Sequence, residues 1–132
     1  MKTESLDTNV LLRVSIQSTD DQTSRARTLL GGQDRLFHVS LVSIAEFVHA
    51  LMTHYGKNRA QAAESTRRVL AVESIVCPRD VILPALDIFE THPKLSFEDC
   101  LMAEQASAGD ATPLWTFDVK LAKQHPAARL VI

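Results

Sequence analysis

Short apolar runs alternate with longer amphipathic stretches along the chain. Five short runs predict strands, at 4–6, 36–39, 75–77, 114–117 and 129–132. Between the runs, the spacing of apolar residues and the turn signals predict helices over 10–16, 20–30, 44–55, 59–72, 81–89, 96–109 and 119–123. Strands that alternate with helices in this way favour an α/β fold with a parallel sheet covered on both faces.

Two helices carry particular sequence signals. The apolar residues of the third helix recur at the i, i+3, i+4 and i+7 positions that form one helix face, from Ile44 to Tyr55, and Gly56 ends the pattern. In the fifth helix, Asp80 as N-cap would place Pro84 near the first turn, where a proline is tolerated at modest cost.

The region 36–56 requires a membrane check, because it contains 21 residues and a single charge, Glu46. A spanning helix needs about 20 apolar residues, so the length alone would fit. A carboxylate at the bilayer centre, with three histidines besides, makes a span costly. We therefore predict a strand followed by an amphipathic helix, and no membrane contact.

Composition narrows the class of protein. The 132 residues fit one domain, 1–132, with an apolar fraction of 45% that suffices for a core. The formal net charge of -2 excludes a general basic coat, although it permits a local nucleic-acid groove. Two cysteines without metal-site spacing, and an N-terminus unlike a signal peptide, predict a cytoplasmic protein.

Four carboxylates occupy positions where chemistry is expected. Asp7 and Asp118 each follow a predicted strand, and ligands of parallel sheets bind beyond the carboxyl ends of strands. Glu46 lies beside the apolar stripe of a helix, and Asp99 lies in the first turn of another. Each acid also has a structural interpretation: Asp7 and Asp118 as helix caps, Ser96 and Asp99 as a capping box, and Glu46 as a solvated residue.

Together, the four acids favour a cation site. Two carboxylates about 4 Å apart repel by about 4 kcal/mol at an effective dielectric constant of 20. A protein that brings several carboxylates together must protonate some of them or bind a cation. Carboxylate oxygens with water suit the hard ions Mg²⁺ and Mn²⁺, which activate water and stabilise charge on a phosphoryl oxygen.

Other residues with chemical potential have simpler interpretations. His49 and His54 are five positions apart, which is poor spacing for a metal pair on one helix face, so no zinc site is expected. Trp115 is expected in the core, with stacking on a nucleobase as the alternative. Arg13 follows the first acid closely enough to meet a phosphate or an acidic group of a partner.

Four segments resemble the motifs of the PIN-domain nucleases in order and spacing. They are LDTNVLLR at 6–13, SIAEF at 43–47, FEDCLMA at 97–103 and TFDVKL at 116–121. The short single-domain length resembles that of the VapC-type ribonucleases, the toxins of type II toxin–antitoxin pairs. The resemblance implies a three-layer α/β/α sandwich around a mainly parallel sheet.

The resemblance also implies an activity and a site. It implies hydrolysis of RNA with one or two Mg²⁺ or Mn²⁺ ions on Asp7, Asp99 and Asp118, with Glu46 as a further ligand or as a base. Thr8, Asn9 and Thr116 match auxiliary polar positions. The implied partners are an RNA substrate, a cognate antitoxin and a second copy of the chain.

One position departs from the family pattern, since many relatives carry an acid where this chain has Ser96. Two alternative functions stay open: a PIN-type RNA-processing nuclease that is not a toxin, and a non-catalytic PIN-like scaffold that binds RNA or protein. Response-regulator receivers and dehalogenase-like phosphatases fit less well. The latter need an acid two residues after the first, where this chain has Asn9.

Overall fold

The computed structural model describes residues 2–16 and 20–132. The chain divides into two compact units, Met1–Pro78 and Arg79–Ile132. The single domain that the length predicts over 1–132 stays a prediction.

The first unit is built on three parallel strands. Its elements are β1 (Lys2–Ser5), α1 (Thr8–Ser15), α2 (Asp21–Leu30), β2 (Arg35–His38), α3 (Leu41–Thr53), α4 (Arg59–Leu70) and β3 (Ile75–Val76). The sheet order is β1-β2-β3, with Glu4 beside Phe37 and Phe37 beside Ile75. Phe37, Ile44 and Phe47 are among its fully buried side chains, so the apolar stripe of α3 forms part of the core.

An ion pair links the first two strands at the surface. Arg35 on β2 donates a hydrogen bond to the Glu4 carboxylate on β1, with an Nη1–Oε1 distance of 3.0 Å. This hydrogen bond, with the nearby charge of Asp34, raises the pKa of Arg35 above its ordinary value. Both side chains are about one-third exposed, and ion pairs of this kind contribute little to stability.

The second unit contains α5 (Arg79–Thr91), α6 (Phe97–Ala108), β4 (Leu114–Thr116), α7 (Val119–Gln124) and β5 (Ala128–Leu130). Strands β4 and β5 pair in parallel, with Trp115 opposite Arg129. Helices α5 and α6 pack against each other, and the rings of Phe89 and Phe97 meet edge to face with centroids 5.5 Å apart. Such aromatic pairs stabilise a core beyond the area that they bury.

The alternation of helices with parallel strands confirms the predicted fold class. Each predicted element is present within the described residues, and its bounds differ from the prediction by at most three residues at either end. No helix in the described ranges is long and apolar enough to span a membrane. Residues 36–56 form β2 and α3, as predicted.

The predicted start of α5 is wrong. The helix begins at Arg79, so Asp80 lies in its first turn instead of capping it, and Pro84 lies one turn further in. Proline there removes one helical hydrogen bond. The helix persists because its inner face is buried, including Ile82, Leu86 and Phe89.

The predicted core position of Trp115 is also wrong, since the residue is 57% exposed. Trp115 lies in the short two-stranded sheet of the second unit, where its neighbours Leu114 and Thr116 are half-buried. Side chains alternate between the faces of a strand, and the face that carries Trp115 is open.

Candidate functional site

Asp7 lies just beyond the end of β1 and caps the next helix. Its Oδ1 accepts a hydrogen bond from the backbone N–H of Val10 at 3.2 Å, so the helix-cap interpretation is confirmed. Asp7 is exposed. Within residues 2–16 and 20–132, no group donates a hydrogen bond to its Oδ2, which leaves that oxygen available to a ligand.

Glu46 and Asp7 line the same cavity of the first unit. Glu46 is exposed on α3, and both carboxylates line this cavity. The Thr8 hydroxyl donates a long hydrogen bond, 3.5 Å, to the Ser43 carbonyl and so connects the first turns of α1 and α3. We call this space the acidic cavity; its wall contains Asp7, Thr8, Asn9, Leu12, Ser43, Glu46, His49, Ala50 and His54.

Sequence reasoning missed the two histidines of the acidic cavity. His49 follows Glu46 by three positions, a spacing that places two side chains on the same face of a helix. His54 is the C-cap of α3, keeps right-handed helical backbone angles, and lines the acidic cavity together with His49. The three-residue spacing between Glu46 and His49 was the sequence signal that could have placed His49 beside Glu46.

Arg13 lines a second cavity together with Asp7, Asn9 and Arg25. Its Nη1 lies 3.4 Å from Oδ2 of Asp20, the N-cap of α2. The side chain of Arg13 is 37% exposed, so this ion pair stays accessible to a competing anion. A phosphate or a partner's carboxylate would exchange with Asp20 at small cost, because such exposed pairs are weak.

Asp99 lies in the first turn of α6, in the second unit. Ser96 caps this helix and accepts a hydrogen bond from the Asp99 N–H at 3.1 Å, which confirms Ser96 as a helix cap. The carboxylate of Asp99 takes no part in that bond. Asp99 is half-buried, and Phe97 and Cys100 beside it are buried in the core of the unit.

Asp118 repeats in the second unit the arrangement of Asp7 in the first. It follows β4 and caps α7, with its Oδ1 accepting from the N–H groups of Lys120 at 2.9 Å and Leu121 at 3.1 Å. Its own N–H donates to the Thr116 hydroxyl at 2.9 Å. Thr116 therefore holds the backbone of Asp118, and its auxiliary role at a metal site stays a prediction.

The donor chemistry fits a hard divalent ion. The acidic cavity offers carboxylate, hydroxyl and amide oxygens, and Mg²⁺ in proteins is held by one or two carboxylates plus water and phosphate oxygens. No three His, Cys, Asp or Glu side chains in the described ranges are close enough to hold a metal ion by themselves. The four-acid centre that the resemblance implies therefore stays a prediction.

Comparison with known families supplies the deciding observation. The family model for the PIN domain matches residues 5–125, and this match spans all four candidate acids. The chain belongs to the PIN-domain family. The match confirms the predicted family and the α/β PIN-like fold. A search of curated proteins finds no match.

Three solved structures are similar over nearly the whole chain. VapC20 from Mycobacterium tuberculosis, a toxin that cleaves the sarcin–ricin loop, has 15% identity and a TM-score of 0.44, covering 97% of this chain and 99% of VapC20. VapBC2 from Rickettsia felis, bound to a fragment of promoter DNA, has 19% identity and a TM-score of 0.40, with coverage of 98% and 97%. A toxin–antitoxin complex from Klebsiella pneumoniae has 18% identity and a TM-score of 0.37, with coverage of 97% and 95%.

Proposed function

We propose that this PIN-domain protein is a metal-dependent endoribonuclease that acts as the toxin of a toxin–antitoxin pair. The observation that carries the proposal is the family match over 5–125 in a chain that keeps all four acids. The shared acidic cavity of Asp7 and Glu46 supports it, because the cavity supplies the oxygen donors that a hard ion needs.

The proposal assigns the metal ligands to Asp7, Asp99 and Asp118, with Glu46 as a further ligand or as a base. A bound Mg²⁺ or Mn²⁺ lowers the pKa of water and stabilises the charge that develops on phosphoryl oxygens. The caps of α1 and α7 each use one carboxylate oxygen, Oδ1, and so hold Asp7 and Asp118 in fixed orientations. Such preorganisation reduces the cost of gathering like charges around an ion.

Glu46 has a different role from the capping acids. It belongs to the body of α3 and is exposed in the acidic cavity, so its carboxylate is accessible to water or to an ion there. In hydrolysis the attacking water loses a proton as its oxygen bonds to phosphorus. With Glu46 as the base, its carboxylate accepts that proton, and the leaving ribose oxygen gains one from solvent, so the step balances.

The narrower parts of the proposal concern partners. The resemblance of the four motifs to VapC-type toxins suggests a cognate antitoxin, a homodimer and a cytoplasmic site of action on RNA. Induced expression of the chain is expected to arrest growth, and co-expression of a small neighbouring antitoxin gene is expected to restore it. Cleavage of RNA without growth arrest would instead favour the RNA-processing nuclease.

The nuclease itself is tested by cleavage of end-labelled RNA with Mg²⁺ or Mn²⁺, and then with EDTA. Asp7→Asn removes the negative charge but keeps a good helix cap. Asp20→Asn is the matched control, because Asp20 caps α2 through its Oδ1 as Asp7 caps α1 and does not line the acidic cavity. We expect metal-dependent cleavage that is lost in Asp7→Asn and kept in Asp20→Asn.

Other outcomes separate the alternatives. RNA binding without cleavage by a folded, metal-loaded protein would contradict the nuclease and favour the non-catalytic scaffold. Equal cleavage by Asp7→Asn and the wild-type chain would remove Asp7 from the centre. Cleavage that persists undiminished in EDTA would contradict the metal requirement.

A further inference from the structure

An exposed aromatic pair flanks Thr116 in the second unit. Phe117 is 81% exposed and Trp115 is 57% exposed. The other four phenylalanines, at 37, 47, 89 and 97, are all at most 3% exposed. An exposed phenylalanine side chain does not gain the free energy of burial in the core. The exposure of Phe117 beside the candidate acid Asp118 is therefore better explained by binding of a ligand than by folding.

The half-buried Thr116 separates the two aromatic residues along the chain. Trp115 is central in β4, and Phe117 immediately follows the strand, whereas Leu114 and Thr116 are half-buried. The alternation of half-buried and exposed residues in β4 continues through Phe117, which places Phe117 on the exposed side with Trp115. We call Trp115, Phe117 and Arg129 the aromatic face.

A cation completes the aromatic face. Arg129 lies opposite Trp115 on β5, and its Cζ is 5.7 Å from the centroid of the indole ring. A guanidinium over one side of the indole leaves the opposite side for a second flat group, and the charge of Arg129 is available to a phosphate.

The surrounding segment is locally basic, although the whole chain is acidic. In residues 114–132, the cations Lys120, Lys123 and Arg129 stand against one carboxylate, Asp118, whereas the whole chain has a net charge of -2. Lys120 and Lys123 are exposed on α7. This charge distribution favours an anionic ligand rather than a typical protein partner. The two aromatic rings favour a ligand that carries flat apolar groups.

Single-stranded RNA combines both properties. We propose that Trp115 and Phe117 stack on unpaired bases next to the phosphate that is presented to Asp118, with Arg129 on the backbone between them. The proposal rests on the proposed RNA-cleaving function and names the part of the substrate that this surface holds. Stacking tolerates different bases, because every base has a flat π face, but it requires that the bases be unpaired.

Trp115 itself reports on the contact, because it is the only tryptophan of the chain. The Asp7→Asn variant is titrated in EDTA, to prevent cleavage, with an unstructured RNA oligomer. The same RNA as a duplex and an abasic sugar–phosphate oligomer of equal length serve as the comparison ligands. We expect quenching of Trp115 emission by the single strand, and binding at least about tenfold weaker for both comparison ligands.

Matched variants in the same background test the second ring. Phe117→Leu keeps an apolar side chain but removes the ring, and it is expected to weaken binding about tenfold. Phe117→Tyr is expected to restore the affinity. Leu83→Ala, which removes another exposed apolar side chain of the second unit, is expected to leave it unchanged. Because Phe117 is exposed, none of its variants should alter the thermal unfolding midpoint.

Three results would overturn the aromatic face as a base-binding surface. One is equal affinity for the abasic oligomer, which would show that charge alone binds the backbone. Another is unchanged RNA affinity in Phe117→Leu. The third is a change of self-association in Phe117→Leu without a change in RNA affinity, which would assign the surface to a second copy of the chain.

The same experiment distinguishes this inference from the proposed function. Quenching by single-stranded RNA, with no cleavage by the wild-type chain in Mg²⁺ or Mn²⁺, would contradict the nuclease and support the base-binding surface. Normal cleavage with the same KM in Phe117→Leu and the wild-type chain would contradict the surface and leave the nuclease standing.

Discussion

The Thr116 hydroxyl accepts a hydrogen bond from the backbone N–H of Asp118 at 2.9 Å. The Asp118 carboxylate in turn accepts from two N–H groups in the first turn of α7. These contacts fix the chain where β4 ends and α7 begins, and so fix the orientation of a candidate metal ligand. Thr116, two positions before Asp118, therefore helps to position this candidate metal ligand.

Removing the Thr116 hydroxyl is expected to slow RNA cleavage. Thr116→Val keeps the shape of the side chain but removes the hydroxyl that accepts the hydrogen bond, at a cost of about 1 kcal/mol. A loss of this size in the transition state lowers the cleavage rate by about fivefold. Initial cleavage rates provide the measurement. Thr116→Ser, which keeps the hydroxyl, is the control and should stay within about twofold of the wild-type rate. A wild-type rate in Thr116→Val would contradict the positioning role.

The second unit is expected to depend on a buried histidine. His125 is 4% exposed, its Nδ1 accepts from the Ala127 N–H at 3.0 Å, and its Nε2 lies 3.0 Å from a carboxylate oxygen of Glu104. Because Nδ1 accepts, the proton is on Nε2 and is donated to Glu104. His125→Leu leaves both partners unsatisfied and should lower the free energy of unfolding by about 2–4 kcal/mol in urea denaturation.

Glu104→Gln serves as the comparison for His125, because its amide oxygen still accepts from Nε2. It should cost less than about 1.5 kcal/mol. Equal destabilisation by the two variants would mean that the charge of Glu104, and not the hydrogen bond, matters.

Magnesium is expected to stabilise the folded protein through the acids. At about 100 times the dissociation constant, a ligand that binds only the folded state adds about 2.7 kcal/mol to the free energy of unfolding. Thermal unfolding with and without Mg²⁺ should show this shift in the wild-type chain and in Asp20→Asn, and a smaller one in Asp7→Asn. The assignment of Asp7 would be refuted by an equal shift in all three proteins.

Arg13 is expected to contact the RNA backbone. Its ion pair with Asp20 is partly exposed and should contribute less than about 1 kcal/mol to stability. Arg13→Gln should therefore leave the unfolding midpoint nearly unchanged and reduce the slope of log affinity against log salt by about 0.7, the value for one phosphate contact on a single strand. Arg68→Gln is matched, since Arg68 Nε also lies 3.4 Å from a carboxylate, that of Glu64. Identical slopes in both variants would place Arg13 outside the RNA path.

The sequence predicts the elements well because each has a local signal. Ser96 and Asp118 are good caps before apolar runs, and they begin α6 and α7 as predicted. Asp80 carries the same signal, yet α5 begins before it. The Ile82 and Phe89 face of α5 is buried, and burial of this kind stabilises the helix through contacts that its local sequence does not show.

The surroundings of the site were harder to predict from the sequence. Trp115 looks like a core residue because tryptophan in a strand is usually buried, and only the pairing of β4 with β5 reveals its open face. His54 lies along the acidic cavity with Asp7, and this proximity depends on the packing of α1 against α3. In both cases the missing information is tertiary.

The central proposal is that Asp7 and Asp99 each take part in metal-dependent cleavage of RNA. The most direct measurement is the single-turnover cleavage rate with Mn²⁺ for Asp7→Asn and Asp99→Asn, beside Glu98→Gln. Glu98 is an exposed acid that adjoins Asp99 in the first turn of α6, so it controls for the loss of charge at that helix end. The account predicts rates at least about 100-fold lower for both Asp variants, and a rate near wild type for Glu98→Gln. Cleavage by either Asp variant at the wild-type rate would contradict it.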